Sequence, residues 1–142
     1  MAVRATLIVT FEPTDADISA VAGPLLAFNE ANGPSNPDSG KLAVLLKNEA
    51  GTVIGGLFGW INCSWLHVEL LAVPEELRRT GLGTRLLGEA ETAAKARGCI
   101  GAWLDTYSFQ APDFYLRNGY EAFGELKDHP PGANRIFLRK SL

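Results

Sequence analysis

Leu71-Ala72-Val73-Pro74-Glu75-Glu76-Leu77-Arg78-Arg79-Thr80-Gly81-Leu82-Gly83-Thr84 carries the chain from a strand-like run into an amphipathic helix. Upstream, Trp65 to Val73 is apolar and strand-like. Downstream, Leu82, Leu86, Leu87, Ala90, Ala93 and Ala94 recur at helical spacing, and Gly98 closes the pattern as a C-cap. The start of a helix leaves backbone N–H groups without intrahelical partners at the positive end of the dipole, so this turn can hold an anion. Gly81 and Gly83 let the backbone approach a bulky pyrophosphate, Thr84 offers a hydroxyl, and Arg78 and Arg79 add positive charge. A turn whose glycines only relieve packing is the other reading of the same letters. A nucleotide P-loop is excluded because no Gly-Lys-Ser/Thr ending follows. A dinucleotide turn is excluded because Leu86 stands where its third glycine is required.

Working outward from this turn, Lys41 to Lys47 and Thr52 to Cys63 are apolar runs joined by Asn48-Glu49-Ala50-Gly51, which predicts a hairpin. Residues 4 to 11 alternate and are rich in Thr, Val and Ile, the pattern of a half-buried first strand. A helix follows: Thr14 and Asp17 have the spacing of a capping box, Ile18, Val21, Ala22, Leu25 and Leu26 return at helical intervals, and Pro24 is expected to interrupt it. Asn32 to Gly40, with Pro34 and Pro37, reads as a loop. Beyond the central helix, Cys99 to Thr106 is strand-like. A short helix with Ser108 as N-cap and Pro112 in its first turn then carries Phe114, Tyr115 and Leu116 to Asn118-Gly119. Tyr120 to Leu126 and Arg135 to Arg139 complete a final hairpin. The expected class is α/β, an α+β mixed sheet with helices on both faces, in a single domain spanning residues 1–142.

With 142 residues and 46% hydrophobic content, the chain is long enough to bury a core. A net charge of −3 gives no broad footprint for nucleic acid or an anionic membrane. The longest apolar run, Val53 to Ile61, is far below spanning length. The N-terminal run lacks a signal-peptide cleavage pattern, so a cytoplasmic location is expected. Cys63 and Cys99 have no Cys or His at ligand spacing, which argues against a disulfide framework or a metal site and for two small buried residues.

The turn with Arg78, Gly81 and Gly83 after Leu71-Ala72-Val73-Pro74 matches the signature Q/R-x-x-G-x-G/A. Ala111-Pro112-Asp113-Phe114-Tyr115-Leu116-Arg117-Asn118-Gly119-Tyr120 matches A-x-x-F-Y-x-x-x-G-F/Y. On these two ordered motifs the chain resembles the GCN5-related N-acetyltransferase (GNAT) superfamily over nearly its whole length. The resemblance implies a GNAT-like, mostly antiparallel sheet and acetyl-CoA as co-substrate, with no metal. It implies that backbone groups of Arg79, Thr80, Gly81, Leu82, Gly83 and Thr84 cradle the pyrophosphate, with Arg78 beside them. Leu71, Ala72 and Val73 would pair with the pantetheine arm, and the Leu71 N–H would polarise the thioester carbonyl. Ser108 would make a coenzyme contact where many relatives carry Asn. Tyr115 would sit beside the coenzyme sulfur and protonate the departing thiolate.

An alkylamine is almost wholly protonated at neutral pH, so its attack on a thioester requires a base. Glu69 is the candidate, an acid in the otherwise apolar strand Leu66-His67-Val68-Glu69-Leu70-Leu71; a solvent-facing or arginine-paired carboxylate is the alternative. His67 shares its face by alternation, although a structural role suits it better. Trp60 and Trp65 line an acceptor pocket or pack the core, His129 faces solvent, and Asp105 attracts a cationic amine or caps the helix that follows. Neither cysteine has a placed His partner, which favours direct transfer over a covalent route. The expected function is acetyl transfer from acetyl-CoA to a primary amine of a small molecule, peptide or protein. A non-catalytic acyl-CoA sensor of the same fold is the alternative. The exposed sheet edges and the final hairpin make homodimerisation plausible.

Overall fold

The structure is a computed structural model that describes residues 3–36 and 38–142. Two compact units divide the chain, Met1–Ser35 and Asn36–Leu142.

In the first unit, helix α1 spans Asp15–Asn32 and opens with the expected capping box. Asp17 N–H donates to Thr14 Oγ1 at 3.1 Å, and Thr14 N–H donates to Asp17 Oδ2 at 2.9 Å. The Thr14 backbone N–H first, and then the Thr14 side chain, hold the Asp17 carboxyl below its usual value because they favour its charged form. Pro24 does not split the helix as expected. It removes one backbone bond, but Ala20, whose carbonyl is left without that donor, is exposed, so water can take its place. Residues 4–11 also correct the sequence reading: they form no strand. Alternation supplies a face, but a strand also needs a hydrogen-bonded neighbour, and the described part of this unit contains no second strand.

The second unit is a six-stranded mixed sheet in the order β1-β2-β3-β4-β6-β5. Its strands are β1 (Gly40–Lys47), β2 (Val53–Asn62), β3 (Trp65–Ala72), β4 (Gly101–Tyr107), β5 (Glu121–Lys127) and β6 (Asn134–Ser141). All neighbours are antiparallel except β3 and β4. The turn from Asn48 is closed by Asn48 N–H to the Thr52 carbonyl at 3.0 Å, as the hairpin reading requires. Cys63 lies in the tight β2–β3 turn at φ 53° and is exposed, which corrects the expectation of burial; Cys99 is buried.

Helix α2 (Leu82–Ala96) buries Leu86, Leu87, Ala90 and Ala94, and the last three pack in one core with Leu57, Ile61, Leu66, Val68, Leu104 and Leu138 of the sheet. Ala93, counted in the same stripe from sequence, stands exposed at its margin. Gly98 at φ 87° donates to the Lys95 carbonyl at 2.9 Å, ending the helix where the sequence predicts. Helix α3 (Pro112–Arg117) packs Phe114 and Tyr115 against the same core. The indole of Trp65 lies against the α-carbon of Gly101, where a Cβ would overlap it, so Trp65 is a packing residue.

Candidate functional site

The site begins where two parallel strands separate. β3 and β4 pair only from Trp65–Val68 to Gly101–Leu104, although β3 continues to Ala72 and β4 to Tyr107. Beyond Val68 and Leu104 a cavity of ≈ 970 Å³ opens, with Glu69 to Val73 on one wall and Asp105 and Thr106 on the other. The Arg78–Thr84 turn and α3 complete its lining.

At one end, a 3₁₀ turn (Glu75–Leu77) leads into Gly81, the N-cap of α2, at φ 82°. This left-handed conformation is where glycine is favoured. Arg85 N–H is the first in the helix to find an intrahelical carbonyl, that of Gly81 at 3.1 Å. No side chain caps the helix, so the N–H groups of Leu82, Gly83 and Thr84 are left for solvent or an anion. Arg78 Nε donates to the Val73 carbonyl at 3.0 Å and so ties the strand end to the turn. Arg79 reaches φ 64° and lines the cavity. A donor-rich, basic turn on a cavity of this size suits a pyrophosphate-bearing co-substrate.

Two turn residues differ from their expected surroundings. Thr80 is not in the cavity lining; its hydroxyl donates to the Leu77 carbonyl at 2.6 Å. Gly83 lines the cavity, but a Cβ there would lie 3.1 and 3.2 Å from Phe114 Cζ and Cε2. The packing reading of the glycines therefore holds at Gly83, whereas Gly81 has open space around it.

Glu69 sits at an irregularity in the sheet: Gly59 pairs with Val68 and Phe58 with Leu70, leaving Glu69 as the extra residue of a bulge. The burial alternation of β3 breaks there, with Glu69 and Leu70 both exposed and both lining the cavity. Its Oε2 accepts the Trp60 indole N–H at 2.6 Å. His67 does not line the cavity; its ring stacks on Trp103 with centroids 4.0 Å apart.

Tyr115 lines the cavity from α3, edge-to-face with Phe114 and with Tyr120 at 5.0 and 5.9 Å. Burial pushes its phenol above the ordinary value, so it stays protonated well into the alkaline range. Tyr120 is raised further, by burial first and then by Glu91, whose Oε2 accepts its hydroxyl at 2.8 Å. Lys140 binds the other oxygen of Glu91 at 2.8 Å and the Asn118 carbonyl at 3.0 Å, tying α2, β6 and the end of α3 together.

Ser108 is not the N-cap of α3 and does not line the cavity. The helix starts behind Ala111, and Ser108 Oγ accepts the Asn134 N–H at 3.0 Å. The residues between Ser108 and Ala111 form a turn, so the cap position lies further along the chain than a Ser-to-Pro spacing suggests. Gln110, which the sequence did not single out as a site residue, closes that turn. Its Oε1 accepts both the Thr106 hydroxyl and the Tyr107 N–H at 2.9 Å, and the residue lines the cavity. Arg117 and Asn118 line it too, with only their positions after Tyr115 as a signal. Asp105 does not cap a helix: it pairs with Arg135 at 2.7 Å. His129 stacks on Tyr107 with centroids 6.0 Å apart.

Comparison with known proteins identifies the class that this site defines. Residues 38–122 match the family model described as an acetyltransferase (GNAT) domain. The chain is 45% identical over 95 residues to blasticidin-S acetyltransferase of Streptomyces morookaense, covering 66% of this chain and 70% of that protein. It is 37% identical over 121 residues to an acetyltransferase of Agrobacterium fabrum, covering 85% and 88%. A crystal structure of an acetyltransferase from Bacillus cereus superposes with a TM-score of 0.87 at 32% identity, covering 95% of this chain and 98% of that one. The chain belongs to the GNAT acetyltransferase family and is an N-acetyltransferase. Enzymes of this family draw their acetyl group from acetyl-CoA. No helix among the described residues is long and apolar enough to cross a membrane.

Proposed function

We propose that the protein transfers the acetyl group of acetyl-CoA directly to a primary amine in a ternary complex, acting as one acetyltransferase domain. The observation that carries this reading is a single cavity lined at once by the α2 N-terminus, Glu69 and Tyr115. The free N–H groups of Leu82 to Thr84, with Arg78 and Arg79 nearby, bind the pyrophosphate. The unpaired edge of β3 at Leu71 to Val73 holds the pantetheine arm, and the Leu71 N–H polarises the thioester carbonyl. Glu69, directly or through a water, takes a proton from the ammonium. The amine nitrogen then bonds to the carbonyl carbon, the carbon–sulfur bond breaks, the Tyr115 phenol protonates the departing thiolate, and the second proton that the nitrogen sheds on becoming an amide restores the phenol.

The likeness to blasticidin-S acetyltransferase supports a small-molecule acceptor, with blasticidin S as the first compound to try. Thiol release from acetyl-CoA is measured with blasticidin S, polyamines, aminoglycosides and peptides. Turnover on at least one amine, falling sharply but measurably in Glu69→Gln, is the expected result. Tight coenzyme binding with no turnover on any amine would instead favour the sensor reading.

A further inference from the structure

We propose that Trp60 is a positioning residue for the reaction, holding Glu69 in the orientation in which its second oxygen takes the proton of the incoming amine. This inference rests on the assignment of Glu69 as base. A glutamate at a bulge on the exposed part of a strand has several accessible rotamers, and a base that must meet one proton in one place works best when its rotamer is fixed beforehand. Here one partner fixes it. The Trp60 indole N–H donates to Oε2 at 2.6 Å, and among the described residues no other group bonds the carboxylate, so Oε1 is free. Trp60 stands opposite His67 in the β2–β3 ladder, two positions from Glu69 along β3, so the indole and the carboxylate meet as diagonal neighbours across the two strands.

The indole is itself held. Phe58 meets it edge-on at 5.5 Å, and the Lys41 ammonium lies 5.5 Å from its ring centre. Trp60 does not line the cavity, so it acts through Glu69 rather than on the substrate. Asp105, the other carboxylate on the cavity wall, is paired with Arg135. Glu69 is thus the carboxylate there whose only described partner is a neutral donor, which leaves its negative charge for the cationic acceptor.

The test compares Trp60→Phe, Glu69→Gln and the double variant, with blasticidin S as acceptor. Trp60→Phe keeps an aromatic ring against Phe58 and removes the N–H. The expected result is a fall in kcat of about 10- to 100-fold, the size of one lost hydrogen bond to a charged group, with KM for acetyl-CoA unchanged. The same substitution should cost nothing further on the Glu69→Gln background. A Trp60→Phe enzyme at the wild-type rate, or an equal loss with and without Glu69, overturns the proposal while leaving Glu69 as base. A silent Glu69→Gln overturns the base assignment, and this inference with it. A second measurement needs no acceptor: the Trp60 indole proton in an NMR spectrum of the free protein. It should shift and exchange faster with water in Glu69→Ala, and an unchanged resonance refutes the contact.

Discussion

Replacing Gly83 by Ala places one methyl group where α2 and α3 touch, and the outcome separates a glycine kept for packing from one kept for ligand approach. The new Cβ would lie 3.1 Å from Phe114 Cζ and 3.2 Å from Cε2, against an ordinary carbon contact of about 3.5–4.0 Å. The shortfall is a few tenths of an ångström or more. The Phe114 ring is packed edge-on to Tyr115 and against the core, so the strain passes to the six-residue α3. Overpacking of this kind costs about 1–3 kcal/mol, and the gain in helix propensity from Gly to Ala, about 1 kcal/mol in a helix interior, is smaller in a first turn. Gly83→Ala should therefore lose about 1–2 kcal/mol. Gly88, in the same helix with open space at its Cβ position, supplies the control: Gly88→Ala should gain about 0.5–1 kcal/mol. Urea unfolding followed by tryptophan fluorescence measures both, since Trp60, Trp65 and Trp103 all lie in the sheet. Gly83→Ala should also lower kcat, because Tyr115 moves with α3. Equal stabilisation by the two substitutions would refute the packing argument.

Tyr115→Phe should lower kcat about 10²-fold or more while leaving coenzyme A affinity within a few-fold in a calorimetric titration, because a general acid contributes to the chemical step and little to binding. Stability should fall as the pH rises beyond about 9, first through the buried Cys99 thiol, which the fold holds neutral, and more steeply above about 10 through two phenols. The folded protein holds the phenols of Tyr115 and Tyr120 neutral beyond the value at which the unfolded chain ionises them, so raising the pH favours unfolding. Urea midpoints at pH 9 and pH 11 check this, and Tyr115→Phe should flatten the decline.

Much of the sheet was legible because its strands are short apolar runs bounded by turn residues, as Lys41 to Lys47 is before Asn48-Glu49-Ala50-Gly51. β1 alternates half-buried and exposed residues along its whole length. The Arg78–Thr84 turn was legible for a related reason, since glycine beside an amphipathic stripe marks a helix start. Residues 4–11 show the limit of the method: they alternate as a half-buried strand should, but pairing is a property of two segments, and the sequence of one does not reveal whether it finds a neighbour. The surroundings of Glu69 were hidden because a bulge is set by register against β2. The part of Gln110 was hidden because it is to accept two hydrogen bonds from Thr106 and Tyr107, and that requires the turn between them to be known. Ser108 misled for the same reason. Its letter suits a cap, but the hydroxyl is taken up by Asn134 across the sheet.

The most direct test of the central claim is the identity of the products. With acetyl-CoA and an amine acceptor, blasticidin S first, mass spectrometry should find one acetyl group on the acceptor nitrogen for each molecule of free coenzyme A, at a rate that falls sharply in Tyr115→Phe and Glu69→Gln. Release of coenzyme A without an acetylated amine, or acetylation at the wild-type rate in both variants, would contradict it.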